Sequence, residues 1–365
     1  MKKGSLFLAL LLVLSLLTGC AGTPVVYYSD CTCPTGAHEA EAAPVQTEAA
    51  AQTSATEGAL KTGLTIVTSV ADSKSASAEE AGEAKYDVTM VAVLVDDNGV
   101  IQDCIIDGIS TSIQFEANGS LKTPVEEETV MTKNELGENY GMVAYGGAVA
   151  EWDEQAAALA KFAVGKTVEE LRSGAIDESG RAPAGSDLAT SATIYLGGYV
   201  SAIEAAAANA QHLGAQAGDV LKLATVTGID SSKAADGENA GNAQLDATVT
   251  ALTMNGDVIS SCVIDAVQAK VAFDASGAVI SDVEASVQTK NELGENYGMV
   301  AWGGAIAEWD EQAASFASYV TGKTLEEVSG IAVDESTHPV DADLASSVTI
   351  AIGGFQGLIA KAVQG

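Results

Sequence analysis

Runs of β-branched and apolar residues recur in the first part of each half of this chain, as is typical of strands. Val88–Val95 is a run of β-branched and apolar residues that turns at Asp97-Asn98-Gly99 and returns through Val100–Asp107. A glycine turn between two such runs predicts an antiparallel hairpin. The second half has the same arrangement over Thr248–Met254, Asn255-Gly256 and Val258–Asp265. Each half is therefore expected to contain an antiparallel meander.

Further strands are expected on both sides of each hairpin. Short apolar runs followed by a glycine turn predict a third strand near Ile113–Phe115 and near Val271–Phe273. Earlier runs, Leu64–Val70 and Leu221–Thr227, predict a strand that pairs with the meander across a polar loop.

The second part of each half has helical spacing. Apolar residues recur at steps of three and four from Val149 to Ala163, which predicts an amphipathic helix that begins near Val149 and is capped by Gly165. Thr167 and Glu170, like Thr324 and Glu327, have the spacing of a capping box. A last helix is expected over Thr193–Ala210 and over Thr349–Val363. Strands followed by helices in each half predict the α+β class.

The two halves are also alike in sequence. Thr132–Ala157 and Thr289–Ala314 agree at 24 of 26 positions and differ only where Tyr145 and Val149 are replaced by Trp302 and Ile306. The match extends, with small insertions, over residues 61–214 and 215–365, and each segment is long enough to bury a core. We therefore expect two tandem repeats, each an antiparallel β-meander followed by helices.

Composition narrows the classes of partner. The 50 acidic and 17 basic side chains give a net charge of −33, which excludes a nucleic-acid-binding protein and a protein that adheres to anionic lipid. The 47% of apolar residues nevertheless predicts a folded chain rather than a disordered one.

The N-terminus has the pattern of an exported lipoprotein. Residues 1–19 combine two lysines with a short apolar run, as a secretory signal peptide does. Leu17-Thr18-Gly19-Cys20 resembles a bacterial lipobox, which implies that Cys20 carries the lipid anchor; the alternative is an ordinary signal with a chance cysteine. Residues 20–60 are rich in Ala, Glu, Thr and Ser and predict a flexible tether. The expected location is the extracytoplasmic face of a membrane in a bacterial cell envelope.

Residues that commonly carry chemistry do not recur in a reactive arrangement. None of the three histidines has a counterpart in the other half, so a site shared by both halves uses no histidine as base or metal ligand. Cys104 and Cys262 correspond, but they lie among Ile and Val, which favours buried structural cysteines over reactive thiols. The run Glu126–Glu128 lacks calcium-ligand spacing and is interpreted as a solvated charge run. No metal is expected, and an electron carrier or binding protein is favoured over a catalyst.

Small hydroxyl residues cluster where the last helix is expected to begin. The cluster consists of Asp187, Thr190, Ser191 and Thr193 in the first half and of Asp343, Ser346, Ser347 and Thr349 in the second. Free N–H groups at a helix N-terminus favour a phosphate. The alternative is that Asp187 or Thr190 only caps the helix.

These clusters resemble the motif Asp-x-x-Ser/Thr-Gly-Ala-Thr of the FMN-binding domains in peripheral subunits of sodium-translocating and Rnf-type redox complexes and in flavinylated surface lipoproteins. Matching residues are Asp187, Thr190, Ala192 and Thr193, and then Asp343, Ser346 and Thr349. Ser191 and Ser347 stand in place of the motif glycine, and Val348 in place of the alanine. The resemblance implies FMN joined through a phosphoester bond to Thr193 and Thr349, a transferase that installs it, and redox partners.

Aromatic and sulfur-containing side chains in the near-identical block are able to cover a planar ligand such as a flavin ring. They are Tyr140, Met142 and Trp152 in the first half, and Tyr297, Met299 and Trp309 in the second. The alternative is that the two tryptophans anchor the core beneath the first helix.

Taken together, these features predict a lipid-anchored extracytoplasmic protein with two FMN-binding-like domains that carries flavin for electron transfer at the cell surface. The alternative is a non-redox ligand-binding, partner-binding or structural lipoprotein that keeps the fold without flavin.

Overall fold

The computed structural model describes residues 58–125 and 130–365. The predicted signal peptide, the proposed lipidation site Cys20, most of the predicted tether and the Glu126–Glu128 run lie outside these residues. In the part of the chain that the structure describes, no helix combines the length and the apolarity needed to cross a membrane.

Each half contains a three-stranded antiparallel sheet in which the strands follow one another in chain order. The first sheet consists of β1 (Lys61–Ser69), β2 (Gly82–Val95) and β3 (Ile101–Phe115), and the second of β4 (Val220–Gly228), β5 (Gly241–Asn255) and β6 (Val258–Phe273). Gly99 and Gly256 have positive φ in the tight turns between the paired long strands, a conformation that glycine adopts without strain. Both predicted hairpins and the predicted first strands are confirmed.

The predicted third strand was wrong in both halves. Ile113–Phe115 and Val271–Phe273 are the last residues of β3 and β6, because the pairing with β2 and β5 continues as far as Gly82 and Gly241. The polar run Ser110–Ser112 interrupts the apolar alternation in the sequence, but its backbone stays paired with Lys85–Asp87. Only an isolated bridge from Phe115 to Leu121 follows the glycine turn.

The helices follow the sheets in the same order in both halves, so the α+β class is confirmed. In the first half they are α1 (Lys133–Leu136), α2 (Met142–Gly146), α3 (Trp152–Ala163), α4 (Val168–Ala175), α5 (Asp187–Ser191) and α6 (Gly197–Ala208). In the second half they are α7 (Lys290–Leu293), α8 (Met299–Gly303), α9 (Trp309–Val320), α10 (Leu325–Ser329), α11 (Ala342–Ala345) and α12 (Gly353–Gln364). A short 3-10 turn follows α1 and α7 (Gly137–Tyr140 and Gly294–Tyr297).

The long helix α3 begins later than its apolar spacing predicts. Glu151 is the N-cap and shares a capping box with Glu154, so Val149 lies outside the helix and is exposed. Gly165 is not the cap either, because the capping residue Val164 is extended and the Gly165 N–H donates to the Ile101 carbonyl. The capping boxes predicted at Thr167 and Thr324 are confirmed.

The last helix also begins later than predicted, at Gly197 and Gly353 rather than at Thr193 and Thr349. The residues of the FMN-like motif lie on the short helices α5 and α11 and in the loops that follow. Ser186 and Asp341 cap these short helices, so the prediction that Asp187 or Thr190 acts as the cap was wrong. The backbone at Ala192 is extended, and this interrupts the helix before Thr193.

The sheets pack against each other and the helices cover their outer faces. Along β2, Val88, Met90 and Leu94 belong to a core that contains residues of both halves, whereas Val91 and Val93 face the helices of the first half. A corresponding helix-covered core belongs to the second half. The successive layers are therefore helices, sheet, sheet and helices, with one apolar core shared by the two halves.

The far ends of β3 and β6 meet within the shared core. The rings of Phe115 and Phe273 are parallel, with centroids 4.1 Å apart. Two backbone hydrogen bonds flank them symmetrically, because the Ala76 N–H donates to the Gly277 carbonyl and the Ala235 N–H to the Gly119 carbonyl. Gly82 and Gly241 leave room for the rings: a Cβ at Gly241 would lie 2.4 Å from the Phe273 ring.

We therefore expect Gly241→Ala to destabilise the fold by about 1–3 kcal/mol, because the added methyl group overpacks the stack and cannot be relieved without moving a ring or the backbone. A lower urea midpoint with an unchanged slope would be the measurement. Gly237→Ala is the matched control, since nothing lies within 4 Å of a Cβ there. Equal stability of the two variants would contradict the prediction.

Candidate functional site

The motif threonines occupy the same position in both halves. Thr193 and Thr349 are exposed, and a buried glutamine from the long helix holds the backbone beneath each one. Gln155 Oε1 accepts hydrogen bonds from the N–H groups of Thr193 (2.8 Å) and Ile194 (3.2 Å) and from the Thr193 hydroxyl (3.3 Å). Its amide donates to the Ala150 carbonyl at 2.8 Å. The arrangement fixes each threonine at the surface.

Gln312 makes the corresponding four hydrogen bonds in the second half, to Thr349, Ile350 and Ala307. Neither glutamine was predicted as a site residue. The signal that would have identified Gln155 is a polar residue three positions after Trp152, on the apolar face of an amphipathic helix.

The other motif hydroxyls satisfy their own short helices. Thr190 and Ser346 donate to the carbonyls of Asp187 and Asp343, both at 2.7 Å. Ser191 and Ser347 donate to the carbonyls of Leu188 and Leu344, both at 3.3 Å. Only the threonines that end the motif therefore present a hydroxyl that is not directed into its own helix.

A basic side chain stands beside the first of these threonines. The Arg181 guanidinium donates to the Thr193 carbonyl. Asp177 and Arg181 close a turn through a backbone hydrogen bond, and Asp334 and His338 close the corresponding turn, so His338 occupies the position of Arg181 in the second half. His338 Nδ1 lies 3.4 Å from Asp334.

The six side chains predicted as a ligand pocket come together as one group in each half. Trp152 and Trp309 are buried in the helix-covered cores, with Tyr140, Met142, Tyr297 and Met299 packed against them. The Trp152 indole donates to the Tyr199 hydroxyl at 3.0 Å, and Trp309 packs edge-on against Phe355. These contacts give the tryptophans the anchoring role that was the alternative interpretation.

A lysine lies over each aromatic group on its sheet side. Lys133 Nζ lies 4.8 Å from the centre of the Trp152 ring, and Lys290 Nζ lies 4.7 Å from that of Trp309. Burial lowers the pKa of Lys290 to about 8. Because the ring faces attract the ammonium group, these contacts offset part of the cost of burying it.

A groove runs between the edge strand and the long helix in each half. Its volume is about 480 Å³ beside β3 and about 580 Å³ beside β6. Cys104, Asn134 and Asp153 line the first groove, and the corresponding Cys262, Asn291 and Asp310 line the second. Among the described residues, the second groove alone has a further wall, formed by Asn209 and residues 211–213 from the connection between the halves.

The grooves contain no reactive thiol. Cys104 and Cys262 are buried free cysteines, and burial raises the pKa of both well above the usual thiol range, so the interpretation as structural cysteines is confirmed. In the described ranges, 58–125 and 130–365, no group of three or more His, Cys, Asp or Glu side chains is arranged to hold a metal ion.

A buried carboxylate lies beside the first turn of α1 and of α7. Asp107 Oδ1 accepts from the N–H groups of Gly108 (2.7 Å) and Asn134 (3.1 Å), and Asp265 accepts likewise from Ala266 and Asn291. Burial raises the pKa of each to about 6 in spite of these hydrogen bonds. Each carboxylate fixes the start of the near-identical block to the edge strand of its sheet.

Comparison with protein-family models, with curated proteins and with solved structures finds no match to this chain.

The two buried aspartates make a pH-dependent contribution to stability. Because their pKa of about 6 lies above that of an exposed aspartate, the folded protein binds more protons than the unfolded chain between about pH 4 and 6. The free energy of unfolding therefore decreases as the pH rises through this window, by about 2–3 kcal/mol for each carboxyl group.

We expect Asp107→Asn together with Asp265→Asn to remove this decrease, since an amide oxygen still accepts from the same N–H groups and cannot ionise. Urea unfolding of the variant and the parent at pH 4 and pH 7 tests it. The exposed Asp257→Asn is the control. A double variant with the same pH dependence as the parent would contradict the assignment.

Proposed function

We propose that this chain is a lipid-anchored extracytoplasmic protein built from two tandem FMN-binding-like repeats, and that it carries flavin for electron transfer at the cell surface. The observation that carries the proposal is the position of Thr193 and Thr349, which are exposed and held by identical glutamine contacts in both halves. An enzyme that attaches a flavin needs an accessible hydroxyl on a backbone that does not move.

The surroundings of Thr193 fit a phosphate ester. The net charge of the chain is strongly negative, yet Arg181 lies directly beside Thr193. A guanidinium group pairs well with phosphate oxygens. His338 replaces the arginine in the second half. An imidazole cannot donate two parallel N–H bonds to a phosphate as a guanidinium does, so Thr193 is the better acceptor of the two.

Attachment requires a partner enzyme that supplies an activated flavin phosphate. The threonine oxygen forms the new P–O bond, its proton is lost, and the leaving group of the activated phosphate departs. FMN supplies the redox chemistry when bound, and the protein supplies attachment and orientation. The grooves beside the long helices are not lined by Thr193 or Thr349, so the proposal puts the flavin ring at the surface, where Tyr195 is a large exposed side chain.

We expect the protein made in a host with the flavin transferase to be yellow and to gain the mass of FMN. Thr193→Ala should remove most of this mass gain, and the further change Thr349→Ala should remove the remainder, because each change deletes an acceptor oxygen. Intact mass spectrometry and fluorescence of the denatured protein are the measurements.

Thr190→Ala is the matched control, since the Thr190 hydroxyl donates to its own helix and is not proposed to receive the flavin phosphate. Thr193→Ser, which restores a hydroxyl, should recover part of the modification. An unmodified mass for the parent protein, made with the transferase present, would exclude covalent flavin.

The anchor is a separate part of the proposal. We expect Cys20→Ala to move the exported protein from the membrane pellet to the soluble extracytoplasmic fraction, because the thiol is the site of lipid attachment. Cys104→Ala is the control and should leave the protein in the pellet. Persistence of the Cys20 variant in the pellet would contradict lipid anchoring.

A second candidate function is non-redox ligand binding. The groove beside β6 favours it, because its volume of about 580 Å³ lies in the range of small-molecule sites and one wall comes from the other half. This function predicts no flavin and a ligand whose affinity falls when Ser318→Trp fills the groove.

A further inference from the structure

The most exposed aromatic residues of the described chain lie within the near-identical block. Each belongs to a short segment that we call an aromatic turn, residues 141–150 in the first half and 298–307 in the second. Tyr145 is 92% exposed and Trp302 is 90% exposed. Two exposed aliphatic side chains accompany each ring, Val143 and Val149 in the first turn and Val300 and Ile306 in the second.

Each ring lies close to the backbone of a glycine although it is not buried. A Cβ at Gly141 would lie 2.6 Å from the Tyr145 ring, and one at Gly298 would lie 2.2 Å from the Trp302 ring, so each ring rests against the backbone of a glycine. Both glycines have positive φ.

A buried carboxylate ties each aromatic turn to the long helix. Glu151 accepts from the N–H groups of Met142 (2.8 Å) and Val143 (3.0 Å), and it also caps α3. Glu308 makes the same contacts with Met299 and Val300. The exposed rings therefore project from the rigid part of the fold and are not on a loose loop.

The surface beside the first ring is acidic. A cavity of about 610 Å³ adjoins Val143 and Ala144, and the other described residues that line it are Gly137, Glu138, Glu151, Asp153 and Glu154. Four of the seven are carboxylates and none is basic. The second half has the same residue types at the corresponding positions, from Gly294 to Glu311.

The differences between the halves fall on this surface. The only two substitutions in the 26-residue block are Tyr145 to Trp302 and Val149 to Ile306. Both residues of each pair are exposed, and both substitutions keep the aromatic or β-branched character. Solvent exposure alone does not require an apolar residue at either position.

We propose that each aromatic turn is a docking site for a cationic, amphipathic segment of a partner protein. An apolar side chain of the partner covers the ring and its aliphatic neighbours, while a lysine or arginine enters the adjacent acidic cavity. Aromatic rings and carboxylates both attract cations. The net charge of −33 disfavours a second copy of this chain and an anionic membrane as the occupant.

The test uses three short synthetic peptides on the full extracytoplasmic protein. In the first, lysine and leucine alternate; in the second, serine replaces leucine; in the third, glutamate replaces lysine. Calorimetric titration should give two sites per chain for the first peptide. The lysine–serine peptide should bind at least about tenfold more weakly, and the glutamate–leucine peptide should not bind.

Variants then assign the sites. Tyr145→Ala or Trp302→Ala should each leave one site, and the double variant none. Tyr195→Ala changes an exposed aromatic outside the turns and should leave both. Because Tyr145 and Trp302 are exposed, their loss should leave the thermal midpoint unchanged, which separates lost binding from unfolding.

The charge arm uses Glu138→Gln and Glu154→Gln. Glutamine is also accepted in a capping box, so α3 should persist, and the affinity at the first site should fall about threefold to tenfold, more at low salt than at high salt. Equal binding of the lysine–leucine and lysine–serine peptides, absence of binding, or two sites remaining in the double variant would overturn the proposal. Trp302-dependent self-association in sedimentation would overturn it in favour of a second copy.

Discussion

Burial of the inner faces of the two sheets against each other is the constraint on which the rest of this structure depends. Each sheet is apolar on both faces, and the helices of a half cover only one of them. An antiparallel sheet with an uncovered apolar face would be neither soluble nor stable. The second half supplies the missing cover, and the Phe115–Phe273 stack joins the ends of the two sheets within it. The two halves of the chain therefore form one packed unit, and each leaves its helix layer at the surface.

The shared core and the near-identical block of the helix layers have diverged to different extents. In the shared core Tyr86 and Met90 correspond to Leu245 and Val249. The side chains differ in size and shape between the halves but stay hydrophobic, a change that cores tolerate. In the helix layers the block from Thr132 to Ala157 is almost unchanged in the second half. Packing alone does not require this identity, because neighbouring buried positions have changed freely. The nearly unchanged block contains the aromatic turn and Gln155, which binds the backbone of Thr193.

Turns and helix caps could be predicted from this sequence, whereas features that depend on tertiary contacts could not. The hairpin turn at Gly99 and the capping boxes at Thr167 and Thr324 depend on residues a few positions apart. The start of the last helix depends on Gln155, whose side chain takes the N–H groups of Thr193 and Ile194 and which lies 38 positions away from Thr193. The exposure of the Tyr145 side chain could not be predicted either, because Tyr145 stands in an apolar run of the kind that is often buried. Only the fold decides that this run turns outward.

The two halves present the same sites with different chemistry. His338 stands in the position of Arg181, which lies beside Thr193, and the larger Trp302 ring stands in the position of the Tyr145 ring. The groove beside β6 has a further wall from the connection, which the groove beside β3 lacks among the described residues. A fixed scaffold with unequal sites is the expected result when both copies must fold together but need not bind the same molecule. The shared core prevents either half from being lost, and the exposed layer leaves each half free to specialise. Differences in function between the halves should therefore follow these few substitutions and not any difference in fold.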